Sequence, residues 1–382
     1  MKVLVTGGAL GDLPIILAAK DLGLTVYSSG NKPNDVSHFY SDQYFNADYT
    51  NEEELLKVAR TLKIDAIVPS CHDRAVVPAA KIAKKLGLVG FDDPKLLERI
   101  HSKLELRKLL LKCKLPTIPF EKISNVNQLI DFSEKNGYPT IVKPVDQAGG
   151  IGISILENKS TAAEAFDKAS AVSRSKSIIA EKKLMGSFHG ASFFFLNGRI
   201  ANVFYDDEFY SKNNFRVSST IYPSTIGNNV RIDLENQVSK FHSTYRLVDG
   251  ILHVQFIETG FGTFIIEICR RTPGDLYPWF VEICSGFNLA QNHLLSYLPI
   301  PDKKLVFTHP PRFENVLRKI ITGDVSPTSK IRIMNLKNSN KLISLFNFIP
   351  SISSKIIPET LTSQVFFLEG SRASLTEEAL KP

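Results

Sequence analysis

The chain has 382 residues, of which 43% are hydrophobic and 22% charged, too long for one compact core and too apolar for a disordered or fibrous chain. Lys and Arg number 46 against 39 Asp and Glu, a net charge of +7. Spread along the chain without a basic tract, that charge argues no nucleic-acid partner and suits anionic small ligands equally well. Cys71, Cys113, Cys269 and Cys284 form no CxxC pair. A disulfide framework or structural zinc is therefore not expected, and a reducing cytoplasm is. The apolar N-terminus is interrupted by Asp12 and glycines and reads as strand–turn–helix, and no segment reads as a membrane span.

Strand patterns at 3–7, 25–29 and 66–70 alternate with helical patterns at 13–22, 51–62 and 75–86, followed by a short LVGF run. That alternation predicts a parallel sheet covered on both faces. An amphipathic helix from Lys103 to Cys113 leads to LPTIPF, whose two prolines mark a boundary. A helix at 126–136, strand TIVKP, a glycine turn, strand GISILE, a helix at 161–173 and strand SIIAEKKL follow. The style then becomes antiparallel. Residues 191–205 form a hairpin turning at Asn197-Gly198, then come a helix at 233–248 and strands 251–259 and 263–271 around Gly260–Gly262. A helix is expected over 276–295, and 301–382 mixes signals without a chemical motif.

The sharpest segment is YPTIVKPVDQAGGIGIS. A strand ends at Lys143-Pro144, a loop carries Gly149, Gly150 and Gly152, and a second strand begins at once. Glycines between antiparallel strands let backbone N–H groups approach a polyphosphate, and a strand-borne lysine holds its oxygens as a point charge. The loop does not open a helix, so this is not a Walker motif. A plain glycine hairpin is the alternative.

A second constellation is HVQFIETGFGTFIIEICRRTPGD. Strand alternation puts Glu267, Cys269 and Arg271 on one face, and Gln255 joins them if the cross-strand register allows. An acid among isoleucines needs a partner. Either Arg271 is that partner, or Glu267 holds magnesium while Arg271 stabilises transferred charge.

Other polar groups carry less. Gly7, Gly8 and Gly11 do not meet GxGxxG, no acid ends the second strand and no YxxxK follows, which argues against a nicotinamide cofactor. His72 and Asp73 lie at the carboxyl end of a strand, where Asp73 caps a helix beside a surface His72 or the pair touches substrate. Asp206, Asp207 and Glu208 read as a solvated strand edge, with recognition of a substrate amino group as the alternative. Asp275 reads as a cap for the helix that follows.

In order and spacing, "YPTIVKP…GGIG", "AEKKL" and "IEICRR.PGD" resemble the ATP-grasp ligases, most closely carboxylate–amine ligases such as L-amino acid ligases, and the carbamoyl phosphate synthetase large subunit and biotin carboxylase. The resemblance covers most of residues 1–300. It implies an α/β fold with a Rossmann-like pre-ATP-grasp domain at 1–102, a two-lobed α+β ATP-grasp domain at 103–300 with its lid lobe at about 116–184, and a C-terminal extension at 301–382. By resemblance, Lys103 and Lys143 touch ATP, and Gly149, Gly150 and Gly152 form the lid over the triphosphate. Glu181, Lys182 and Leu184 form the adenine-side hinge, with His189 near the nucleotide. Glu267 bridges magnesium ions with Gln255 in a second ligand position, Arg271 orients an acyl phosphate, and His72 and Asp73 face substrate.

Two positions depart from the family, which has an acid at Gln255 and Asn at Cys269. Because magnesium wants hard oxygens, one metal site is expected to be weak, and Gln255→Glu with Cys269→Asn to lower the magnesium requirement. Glu258, on the opposite strand face, is a conceivable substitute. The implied reaction uses ATP and magnesium to activate a small carboxylate as an acyl phosphate for capture by an amine, in a cytoplasmic enzyme for which a homodimer is compatible. A carboxylase-like enzyme or an ATP-binding protein of impaired chemistry are the alternatives.

Overall fold

The computed structural model describes residues 1–147, 150–210, 215–311, 313–322, 341–346 and 363–380. Its first sheet uses β1 (Lys2–Thr6), α1 (Leu13–Asp21), β2 (Thr25–Gly30), β3 (Gln43–Asn46), α2 (Glu52–Leu62), β4 (Ala66–Pro69) and α3 (Asp73–Leu86). The strands run parallel in the order β3-β2-β1-β4. Alternation within β1 serves both faces: Val3 and Val5 pack towards α1, while Leu4 packs with Leu55, Ala59, Ala79 and Ile82 of α2 and α3. The predicted two-sided parallel sheet is present. The LVGF run is not a strand, and α4 (Pro94–Ile100), capped by Asp93 accepting from Lys95 N, was not anticipated. Then comes α5 (Lys103–Lys112).

The second sheet takes β5 (Phe120–Ile123), α6 (Val126–Asn136), β6 (Thr140–Pro144), β7 (Ser154–Leu156), α7 (Ala162–Val172) and β8 (Ile178–Lys182) in antiparallel order β5-β8-β6-β7. Val142, Ile178 and Ala180 pack on Leu129, Phe132, Ala165 and Ala169 of the helices. Lys143 and Glu181, at odd positions of the same strands, therefore face the other way.

The large sheet is built from β9 (Ser187–Leu196), β10 (Arg199–Tyr210), β11 (Val217–Tyr222), β12 (Gly250–Thr259), β13 (Gly262–Cys269), β14 (Val316–Thr322), β15 (Lys341–Phe346) and β16 (Ser363–Glu369), in the order β13-β12-β9-β10-β11-β14-β16-β15. Strands β14–β16 complete this sheet, which the sequence after 300 did not reveal. Its helices are α8 (Asn228–Tyr245), α9 (Tyr277–Ser285), α10 (Leu289–Tyr297) and α11 (Arg372–Leu380). The single helix expected over 276–295 is two, broken at Gly286 (φ 74°), with Asn288 capping α10 by accepting from Gln291 N. Helix α10 packs Ala290, Leu294 and Tyr297 onto Val3, Val5 and Val68, so the first sheet is closed by chain from the far end of the large lobe. No helix among the described residues is long and apolar enough to cross a membrane.

Candidate functional site

Helix α5 carries two cations four residues apart on one side, and each ties the second sheet to the large one. Lys103 Nζ donates to the Gln147 carbonyl at 2.6 Å and lies 3.5 Å from Glu267 Oε1. Arg107, fully buried, donates from Nε to Glu181 Oε1 at 2.8 Å and from Nη1 to the Ile265 carbonyl at 3.2 Å. The other Glu181 oxygen meets Lys143 Nζ at 2.6 Å. Burial would raise the Glu181 pKa, but the Arg107 and Lys143 charges outweigh it and hold it at about 2. Burial drags Lys143 down, opposed by Glu181. Lys103, Lys143, Glu181 and Glu267, predicted from separate motifs, thus converge between the sheets. Arg107 was missed.

Glu267 owes its direction to a β-bulge. Gln255 pairs with Glu267 and Phe256 with Ile265, which leaves Ile266 unpaired. Ile265 and Ile268 can then both enter the core while Glu267 turns to the cleft. Gln255 is opposite Glu267, as the register required. On the far side Gln255 Nε2 donates to Glu208 Oε2 and Oε1 at 2.8 and 3.0 Å, and the Tyr210 hydroxyl donates to Glu208 Oε2 at 2.6 Å. Asp206, Asp207 and Glu208 are all buried, which corrects the solvated-edge expectation: β9 and β11 flank β10, and α9 packs on it through the Tyr277 hydroxyl, 2.5 Å from Asp206 Oδ2. Burial, then the Glu208 charge, pushes Asp206 up to about 8.

Arg271 donates from Nε and Nη2 to Asp73 Oδ1 at 2.8 and 2.7 Å, and His101 Nδ1 is 3.4 Å from the same oxygen. Burial would raise Asp73, but Arg271 and His101 hold it far below the usual carboxylate range. So Asp73 is the ion-pair partner of Arg271 and not a side-chain cap of α3, whose N-cap is the exposed His72. Glu267 pairs with Lys103, not Arg271. Cys269 is buried, and burial pushes its thiol up. Asp275 gives no cap to α9; it pairs with Arg216 at 3.2 Å.

The remaining predicted residues divide. Gly150 and Gly152 lie in the β6–β7 turn, and Gly149 lies outside the described residues. Lys182 donates its Nζ to the Gly137 and Tyr138 carbonyls and its N–H to the Pro119 carbonyl. Leu184 follows β8 in the link to β9, half-buried. His189 is directed away from the cleft group: Nδ1 meets Asp207 at 2.7 Å, Nε2 meets Ser187 Oγ at 2.7 Å, and the ring stacks on Phe256. The first glycine loop is stoppered by its own acid, since Asp12 accepts from Ala9 N, Cys71 N and the Ser70 hydroxyl. A dinucleotide pyrophosphate needs those donors.

Oxygen donors suited to magnesium therefore exist in Glu267, Gln255 and Glu208, whereas Cys269 is a soft donor. Among the described residues no group of three or more His, Cys, Asp and Glu could hold a metal alone.

Residues 102–189 match the family model for the ATP-binding domain of the carbamoyl-phosphate synthase L chain. By superposition the chain matches an N5-carboxyaminoimidazole ribonucleotide synthetase solved with ADP, with TM-score 0.79 and 18% identity over 99% of this chain and 95% of that one. The fold is ATP-grasp. An L-amino acid ligase from Bacillus licheniformis has the same ATP-grasp architecture, with TM-score 0.75 and 18% identity over 99% and 95% of the two chains. Among curated proteins, a formate-dependent phosphoribosylglycinamide formyltransferase of Prochlorococcus marinus strain NATL1A is 24% identical over 89% of this chain and 87% of its own. Another, from strain SARG, is 28% identical over 47% of this chain, which spans 46% of that relative's length.

Proposed function

We propose that the protein is an ATP-dependent ligase that activates a small carboxylate as an acyl phosphate and passes the acyl group to an amine, releasing ADP and phosphate. The observation that carries this reading is the convergence of Lys143 and Lys103 on one cleft with Glu267, 3.5 Å from Lys103. Lys143 and Lys103 hold the phosphates as point charges, and the β6–β7 turn with Gly150 and Gly152 lies over them. Magnesium bound with the nucleotide adds neutralisation of charge on the transferred phosphoryl group. Glu267 is its principal protein ligand. Arg271, oriented by Asp73, stabilises the acyl phosphate. Positioning and charge do the work, and no covalent enzyme intermediate is required. Four free cysteines suit a cytoplasmic enzyme of this kind.

Phosphate release from ATP, measured across amino acids and other carboxylates with hydroxylamine as the trap, tests the reading. Trapping should appear with one substrate class. Arg271→Ala should abolish it and leave nucleotide affinity nearly intact, while Lys143→Ala should lose both by tenfold or more. Nucleotide binding with no ATP consumption across the panel overturns the ligase assignment.

A further inference from the structure

Where a second acid is expected opposite Glu267, this chain has the neutral Gln255. Its amide is not idle: Nε2 donates to both oxygens of Glu208, two strands away on β10. The reach is possible because the residue between them on β9 is Gly190, which pairs with both Gln255 and Asp206. A Cβ there would stand 2.9 Å from Asp206 Oδ1 and 3.2 Å from Glu208 Oε1. The acids thus occupy the space a side chain on β9 would take.

We infer that Glu208 supplies the second carboxylate of the metal–nucleotide site, with Gln255 as its positioning residue. The inference rests on the nucleotide reading above. Three observations support Glu208 in that place. Gln255 is hydrogen-bonded to the one and is the cross-strand neighbour of the other. Tyr210 donates its hydroxyl to Glu208 at 2.6 Å and lies 3.4 Å from Gln255 Nε2, so it touches both members of the pair. Next to Glu208, Asp206 Oδ1 is fully buried and has no hydrogen-bond partner, an acceptor left unmatched beside the Gly190 gap. Magnesium typically takes one or two carboxylates and completes its shell with phosphate oxygens and water. Glu267 and Glu208 are that number. The acid lost from β12 has been re-supplied from β10, so Gln255→Glu alone would set two carboxylates against each other and weaken the site.

Electron paramagnetic titration of manganese into the full chain, with and without ADP, tests this. ADP affinity is measured separately in EDTA. Manganese should bind the ADP complex at least tenfold tighter than the free protein. Glu208→Gln should weaken manganese binding to the ADP complex about tenfold and leave ADP affinity in EDTA within twofold. Moving the acid, with Glu208→Gln and Gln255→Glu together, should restore manganese affinity to within threefold of the parent. Glu258→Gln, on the opposite face beside His189, should bind manganese as the parent does. Parental manganese affinity in folded Glu208→Gln overturns the inference while leaving the nucleotide reading standing. Should Glu208→Gln not fold, failure of the double variant to recover affinity overturns it instead. If the parent binds no ADP in EDTA or with manganese, the nucleotide reading falls as well.

Discussion

Arg107 is the residue on which the cleft's charge balance turns. Glu181 titrates near 2 because Arg107 and Lys143 overcome the cost of its burial. Its folded pKa lies below the ordinary value of 4.5, so its contribution to stability is present above 4.5 and is lost as pH falls towards 2. Arg107→Met leaves that carboxylate with Lys143 alone and should destabilise the fold by about 3–5 kcal/mol, read by urea unfolding at pH 7. Asp206 behaves oppositely. Its pKa, raised to about 8 from 3.8, favours the folded state below pH 4 and loses that contribution as pH rises through 8. Asp206→Asn should therefore flatten the stability profile between pH 4 and 8, and an unchanged slope would remove Asp206 from that role. Lys143, Glu267 and Arg271 stood out because strand alternation and the glycine turn are local patterns, whereas Lys103, on a helix, was singled out only by the family resemblance. Arg107 was not: its partners lie 74 and 158 residues away. The three consecutive acids read as solvent-facing because nothing local announces the strands and helix that bury them.

At the scale of elements, β12–β13 and the Asn197-Gly198 hairpin were readable from turn chemistry and alternation. Strands β3, β5 and β11 were not, since their short, mixed polar sequences acquire strand character only from the neighbours they pair with. The break between α9 and α10 hides in an apolar run that satisfies helical periodicity throughout. The left-handed Gly286 and the Asn288 cap mark it, and a Cβ at Gly286 would stand 1.6 Å from the His309 carbonyl oxygen. Gly286→Ala should cost more than about 2 kcal/mol in denaturant unfolding. Gly190→Ala, whose Cβ meets two carboxylates instead of backbone, should cost about 1–3 kcal/mol. It should also disturb manganese binding, which Gly286→Ala should not.

For the whole molecule, the decisive contacts cross between sheets. Arg270 donates from Nε to Asp92 Oδ2 at 2.7 Å and from Nη2 to the Val248 carbonyl at 2.7 Å, while Asp92 Oδ1 accepts from Val248 N at 2.7 Å. This buried knot fastens the region around α3 and α4 to the end of α8 and the start of β12. Arg270→Leu strands a buried carboxylate and should cost about 3–5 kcal/mol, whereas Arg270→Leu with Asp92→Leu should cost less. Calorimetry of both variants separates loss of the pair from loss of one charge. The parallel sheet and the glycine turn were predictable, but the use of β14–β16 to finish the large sheet depends on chain brought from far along the sequence.

Helix α5 behaves like the pin of a hinge with two teeth. Lys103 grips Glu267 and the Gln147 carbonyl, while Arg107 grips Glu181 and the Ile265 carbonyl. Since a helix advances about 100° per residue, a one-residue insertion between these teeth would swing one of them out of mesh while leaving helix propensity untouched. The spacing from Lys103 to Arg107 is thus a frame constraint, one that divergent sequences can satisfy only by substitution and never by a change in length.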